Sequence, residues 1–385
     1  MSKYFSLIPR VRVNYNTLDL IKALFTSEKK HKFRNLTKKI ISDYFQNENI
    51  LLTSSGRGAI YLVLKSLKQK KVVIPAYTCM VVKEAAVLSG KEIIYAPTSK
   101  DDFNTHKLPP LDNDCIVIAT HQYGIPCNIE YIIKECQKAG AILIEDCAGS
   151  LGTRINGKLT GTFGHYSCFS FDSSKLINVP SKGGFIVAKD IESLNKIDTS
   201  ELKENTIKYK IKHLVRGFIY CMVKGKYMYR IFHYLTMGRK NKMHISENTE
   251  ISLTKGEFYT HGFYEWQARI AYRQLAMLDE IIKRRDYIYS QYDKNIDNAI
   301  IKKPPYIKDS SCIRYTVQTN EQAVVYNYCL KHGVDMGFSF NHISSPSSFK
   351  NEHTIATSIL NVPFYFKLKD NEMYRVIRVL NSIKL

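Results

Sequence analysis

Apolar positions in the first half of this chain fall into short continuous runs separated by stretches with helical spacing. KVVIP (71–75), EIIYAP (92–97), CIVIAT (115–120) and AILIED (141–146) are each bounded by turn residues. Runs that do not alternate with polar residues predict strands covered on both faces. Between them the spacing changes. Ile60, Leu62, Val63 and Leu67 fit one helix, VVKEAAVLSG fits a second that stops at Gly90, and IEYIIKECQKAG fits a third. Alternating strands and helices predict a parallel sheet with helices on both sides. In such sheets ligands gather at the carboxyl ends of the strands. Asp146, His121, Tyr123 and the turn from Ser55 to Gly58 all lie at such ends.

Past Arg285 the pattern changes. Pro304 and Pro305 precede an alternating run in CIRYTVQTN, a helical stretch ends at Gly333, and a strand-like NVPFYF leads into a closing helix. This predicts a smaller C-terminal α+β unit. The chain divides into a large domain over 1–195, an insert over 196–255, and a long helix with the small domain over 256–385.

FSFDSSK ends at Lys175, 29 residues after Asp146 in LIEDCAG. A lysine amine can capture an aldehyde as a Schiff base. A carboxylate ending an apolar strand can keep a pyridine nitrogen protonated, so that the ring accepts electrons. Pyridoxal 5'-phosphate chemistry requires this pairing. Taken singly, the lysine reads as a solvated charge and the aspartate as a turn or helix cap. Upstream, TSSGRGA leads directly into a helix. Free amides and the positive dipole end at such a start suit a phosphate dianion, although the motif alone also reads as a serine cap on a core helix.

The order SSGRGA, PAYTC, HQYG, IEDCAGSLG, NGKLTGTFGHYSCFSFDSSK and the pair Gly183–Gly184 resembles the DegT/DnrJ/EryC1/StrS sugar aminotransferases. The resemblance resumes from Phe263 to about Asp293, on what is one long helix in that family. It implies a fold-type I α/β protein, with a mostly parallel central sheet in a large domain and a small C-terminal α+β domain. It also implies pyridoxal 5'-phosphate as cofactor, Lys175 as the Schiff-base lysine and Asp146 as partner of the ring nitrogen. Ser170 and the amides of Gly56 and Arg57 would hold the phosphate. Cys79 stands where an aromatic ring commonly stacks on the cofactor, so Tyr77 or a residue from elsewhere must cover that face. Further departures are Gly149 for a Gln or His, Lys182 for a glutamate, and Thr260 and Gly262 for an Asn and an Arg that reach a partner subunit.

The reaction implied moves an amino group from an amino acid, glutamate in the family pattern, to a nucleotide-linked keto sugar for surface polysaccharide. The assembly implied is a homodimer. Relatives with histidine at the lysine position are dehydratases, so a lyase or dehydratase is the competing enzyme. A membrane-binding relative without catalysis is the non-enzyme alternative, against which Lys175 and Asp146 together argue.

The sequence has 385 residues, 44% hydrophobic and 24% charged, as in ordinary globular proteins. Nine cysteines, scattered and without a CxxC pair, argue against a disulfide framework and a zinc site and for a reducing cytoplasmic setting. The start shows no apolar signal region, and no apolar run reaches the about 18 residues of a membrane span.

The net charge of +21 is concentrated. Eleven basic residues between Lys203 and Lys242 face Glu204 alone, interleaved with seven aromatic rings. A basic, aromatic, amphipathic segment over 203–243 predicts contact with an anionic membrane surface, peripheral to the cytoplasmic face. The alternative is a helical pair packed on its own domain. Nucleic acid is a third possible partner, but no recognition motif supports it.

Overall fold

The computed structural model describes residues 5–237, 254–338, 340 and 345–384. After α1 (Thr17–Leu24) and α2 (Lys32–Phe45) come β1 (Ile50–Thr53), α3 (Gly56–Ser66), β2 (Lys71–Pro75), α4 (Met80–Leu88) and β3 (Glu92–Ala96). Then follow β4 (Cys115–Thr120), α5 (Ile129–Ala139), β5 (Ile142–Asp146), β6 (Tyr166–Ser170) and β7 (Gly184–Ala188). These seven strands form one sheet in the order β1-β7-β6-β5-β4-β2-β3. Strands β2 to β6 pair in parallel, whereas β7 is antiparallel to both β6 and β1. No crossover helix joins β6 to β7, so the chain returns antiparallel through the loop that carries Lys175.

Period-two alternation divides the sheet into two covered faces. Val72, Ile74, Ile116 and Ile118 pack with Ile60, Leu64, Val82 and Ala85 of α3 and α4. Val73, Val117, Ala119 and Leu143 pack instead with Ile129, Ile132 and Cys136 of α5. All six positions of β4 are buried, which explains its continuous apolar run. α5 begins where the Asn128 side chain accepts from the Tyr131 amide, and it ends at Gly140 in the left-handed region, φ 66°.

Two helices follow, α6 (Ile207–Met222) and α7 (Lys226–Met237). The chain continues through α8 (Glu265–Leu275), α9 (Leu278–Asn295), β8 (Tyr315–Gln318), α10 (Gln322–Lys331), α11 (Lys350–Ser358), β9 (Ile359–Val362) and α12 (Asp370–Asn381). β8 and β9 form an antiparallel pair. Their apolar core, which includes Ile288, Tyr292, Tyr315, Val317, Met373 and Leu380, also takes in Tyr77 and Tyr123 from the strand ends of the large sheet. The C-terminal elements therefore sit over the carboxyl ends of β2 and β4.

The single long helix implied by the resemblance is broken here. Ala276 and Met277 separate α8 from α9, and Met277 leaves helical geometry at φ −112°, ψ 16°. Just before the break, Gln274 is held by Asn178 on both sides of its amide: it accepts from the Asn178 amide at 3.0 Å and donates to the Asn178 carbonyl at 2.7 Å.

The basic insert packs against its own protein along one side. Tyr209, His213, Leu214, Gly217 and Cys221 of α6 are buried, and Tyr209 stacks on His261 at 4.3 Å. On α7, the Tyr229 hydroxyl donates to buried Asp335 at 2.5 Å, tying the hairpin to the C-terminal elements. Residues 238–243 of the expected membrane segment lie outside the described residues.

One close approach fixes where β7 meets the start of α3. A Cβ on Gly184 would lie 2.3 Å from the Phe169 carbonyl oxygen and 2.9 Å from the Ser55 carbonyl carbon. Both are backbone atoms and cannot swing aside. Gly184→Ala is therefore expected to destabilise the protein by about 1–3 kcal/mol. A shift in the urea midpoint at unchanged slope would report it, and an unchanged midpoint would contradict the close packing.

Candidate active site

A cavity of about 200 Å³ opens at the carboxyl ends of β2, β4, β5 and β6. Asp146, the last residue of β5, lines it together with Lys175 from the loop after β6. Gly56, Arg57 and Ser170 line it as well. The structure thus brings five of the six sequence-derived site residues to one cavity.

Tyr77 is the exception. It is buried outside the lining, with its hydroxyl 2.7 Å from that of Tyr123. Its ring fills the core shared with the C-terminal elements. Tyr123 lines the cavity instead, stacked on Phe340 at 5.6 Å with 14° between the rings. Tyr123 holds a left-handed backbone at φ 58°, which few non-glycine residues adopt.

At one end of the cavity stands the start of α3. Ser55 caps it by accepting from the Gly58 amide at 3.0 Å, while its hydroxyl donates to the Phe258 carbonyl at 2.9 Å. The first-turn amides of Gly56 and Arg57 have no acceptor within the helix. A Cβ on Gly56 would fall 2.8 Å from the Ser170 Cβ, so glycine is what lets the helix start come against β6. The Arg57 guanidinium points elsewhere, to Glu84 at 3.2 Å.

Asp146 and Glu145 are neighbours with different surroundings. Glu145 accepts from the amides of Gly161, Phe163 and Gly164 at 2.7–2.8 Å. His121 Nδ1 accepts from the Cys127 amide at 3.2 Å, so its Nε2 carries the proton and donates to Glu145 at 3.1 Å. Cys147 completes a buried trio with them. Each Glu145 oxygen already has its donors, and the trio acts as a structural brace under the cavity floor. Asp146 accepts from the Ala148 amide at 3.0 Å. Burial pushes its pKa up, opposed by that amide and by the Lys175 charge.

Burial and the Arg314 charge lower the Lys175 pKa, while Asp146 and Asp172 act in the other direction. Nothing in the sequence pattern had singled out Arg314. It lines the cavity from just before β8 and has no hydrogen-bond or ion-pair partner among the described residues. Lys182, which replaces the family's glutamate, sits in the left-handed region at φ 74°. It pairs with Asp172 at 2.9 Å and lies 4.6 Å from the centre of the Phe258 ring.

Three buried polar atoms on the wall lack partners among the described residues: Thr78 Oγ1, Thr120 Oγ1 and Gln122 Nε2. Burying such groups without partners is costly, so a polar ligand suits this wall. Gly149 also lines it, but a Cβ there would meet the Gly124 amide nitrogen at 3.2 Å and Ile313 Cδ1 at 3.3 Å. The missing side chain leaves no extra room. Thr260 and Gly262 are not among the lining residues; Thr260 accepts from the Lys203 amide, and the Gly262 amide donates to Tyr264.

The DegT/DnrJ/EryC1/StrS aminotransferase family matches residues 27–381. A UDP-N-acetyl-3-dehydro-alpha-D-glucosamine 3-aminotransferase of Acidithiobacillus ferrooxidans is 31% identical over 152 residues, which are 37% of this chain and 41% of that protein. A GDP-perosamine synthase of Vibrio cholerae is 29% identical over 154 residues, 38% of this chain and 42% of that protein. The chain thus spans about two fifths of the length of these relatives. Among solved structures, the Helicobacter pylori aminotransferase involved in pseudoaminic acid biosynthesis superposes with a TM-score of 0.74 at 14% identity, covering 97% of this chain and 98% of that one. A sugar aminotransferase of Micromonospora echinospora gives a TM-score of 0.72 at 15% identity, covering 98% and 100%. These two likenesses establish the fold.

The Asp172–Lys182 pair yields a pH prediction. Burial alone would raise the Asp172 pKa, but Lys182 and then Lys175 bring it from the usual 3.8 down to about 2. A carboxyl whose pKa is lower in the folded state stabilises at neutral pH, and that stability is lost as pH falls from about 4 to about 2. At about 1.4 kcal/mol per tenfold change in acidity, this amounts to about 2 kcal/mol. Lys182→Met should therefore move the acid-unfolding midpoint to higher pH in far-ultraviolet circular dichroism. An unmoved midpoint would rule the pair out as a source of stability.

Proposed function

The chain belongs to the DegT/DnrJ/EryC1/StrS aminotransferase family, and on that premise we propose that it transfers an amino group to a nucleotide-linked keto sugar with pyridoxal phosphate. The family depends on that cofactor in general. The observation that carries the reading is the convergence of Lys175, Asp146, Ser170 and the start of α3 on one cavity. The partnerless Thr78, Thr120 and Gln122 atoms and the close Gly56–Ser170 approach fit the cofactor's polar substituents and its phosphate.

When bound, pyridoxal phosphate supplies an electrophilic carbon and an electron-withdrawing ring. The amides of Gly56 and Arg57, with the Ser170 hydroxyl, would hold its phosphate. Asp146 would hold a proton on the ring nitrogen, and that cation would give the buried carboxylate the countercharge it otherwise lacks. Lys175 would hold the cofactor through Nζ. Once released, the same amine takes a proton at Nζ and returns it. Its lowered pKa keeps a neutral fraction available for that work. Arg314 offers a guanidinium to a carboxylate of the amino donor or a phosphate of the acceptor. Tyr123 and Phe340 exclude water from one side.

The amino donor in this reading is an amino acid, glutamate by analogy with the family, and the product feeds surface polysaccharide. Nine free thiols suit a reducing cytoplasmic setting. A homodimer is the assembly proposed, two-fold pairing being the commonest closed symmetry.

Borohydride reduction of the loaded protein should fix the cofactor on the peptide containing Lys175, as read by mass spectrometry. Lys175→Ala should lose both that label and turnover. A label on another lysine would overturn the assignment. Asp146→Asn should retain most of the cofactor and lower turnover by about a thousandfold or more. Activity within about tenfold of wild type, roughly 1.4 kcal/mol of barrier, would reject the role of Asp146. Amino product that forms only with an amino-acid donor separates transfer from elimination.

A further inference from the structure

The hairpin of α6 and α7 has more apolar surface than its own protein covers. On α6, Ile207, Ile211, Val215, Phe218, Ile219 and Met222 remain 36–67% exposed. At about 100° per residue these positions form a stripe roughly 120° wide, on the side away from buried Tyr209, His213 and Gly217. On α7, Tyr227, Met228, Ile231, Tyr234 and Leu235 are 48–75% exposed and form a second stripe. Helix α1, which packs beside α6, adds Leu18, Ile21 and Phe25, the last 80% exposed. Eleven exposed apolar side chains on two successive helices, six on α6 and five on α7, mark a contact surface.

Charge identifies the partner. Lys208, Arg216, Lys226 and Arg230 lie on the same two helices, Lys224 lies in the turn between them, and none has an ion-pair partner among the described residues. A second copy seated on this face would bring like charges together. A surface of negative headgroups over an apolar interior satisfies both terms at once, the cations meeting the headgroups and the side chains inserting below them. We propose that the outer face of the α6–α7 hairpin docks on anionic lipid membranes. The two helices, of 16 and 12 residues, measure about 24 and 18 Å at 1.5 Å per residue. They fall short of a hydrocarbon core of about 30 Å, and no helix among the described residues is long and apolar enough to cross a membrane. They would lie in the interface.

Co-sedimentation with vesicles tests this, using phosphatidylcholine alone or mixed with phosphatidylglycerol. The wild-type protein should pellet with the mixed vesicles and stay in the supernatant with phosphatidylcholine alone. Added salt should weaken the binding. Two triple variants, I211E/V215E/I219E and K208E/R216E/K224E, should each reduce partitioning by about tenfold or more. Their melting temperatures should stay near wild type, because the substituted side chains face solvent. Light scattering without vesicles should give the same particle mass for all three proteins. Wild-type protein that remains in the supernatant would overturn the proposal, as would undiminished pelleting of either variant. A lower particle mass for I211E/V215E/I219E would also overturn it, since the face would then belong to a second copy. Labelling of Lys175 should be unchanged in both variants, so failure here would leave the cofactor reading intact.

Discussion

The site depends on two consecutive carboxylates at the end of β5. Strand alternation turns the side chains of Glu145 and Asp146 to opposite sides. Glu145 accepts from three backbone amides and from His121, and so locks the loop over 161–164 and the end of β4 to the strand. That bracing fixes the position of Asp146, which among the described residues has only the Ala148 amide as a donor. A buried carboxylate with one donor is costly unless a cation joins it. The fold supplies a satisfied acid as support beside an under-satisfied acid that faces the cavity.

The cavity around Asp146 follows from connections more than from strands. The Lys175 loop exists because β6 passes to β7 without a crossover helix. The two glycines nearest that loop, Gly56 and Gly184, have no space for a side chain, so the first turn of α3, the end of β6 and the start of β7 meet at backbone distance. C-terminal elements close the opposite side, contributing Ile313, Arg314 and Phe340. Each wall has a different sequence origin, and a pocket forms only where the ends coincide.

Much of this was legible in the sequence, for identifiable reasons. The apolar runs at 71–75, 115–120 and 142–146 became strands because burial on both faces leaves little freedom in composition, whereas 92–96 forms the half-buried edge strand. Lys175 and Asp146 stood out because their chemistry needs those side chains. Arg314 did not, since a lone arginine before an alternating run looks like an edge charge until the fold turns it into the cavity. Thr78, Thr120 and Gln122 are ordinary strand-end residues, and only their burial without partners distinguishes them. Tyr77 departs from the other five because adjacent positions at a strand end diverge, and its ring packs in the core. The break between α8 and α9 carries neither Gly nor Pro, and the pattern runs straight through it. For the insert, packing and exposure are both real: helical periodicity gave each helix two apolar faces, and charge alone did not say which one the protein uses.

Gly149 bears on how this chain can change. Its neighbours Gly124 and Ile313 have closed over the space that a larger residue would need. Installing the Gln or His of the family pattern there would therefore require Gly124 or Ile313 to shift by a few tenths of an ångström. Shortening Ile313 would relieve one contact and leave the Gly124 amide nitrogen at 3.2 Å. The two sites are in contact, so their effects are coupled and not additive. The order in which substitutions arise then decides which are tolerated, and the glycine is held in place by what accumulated around it.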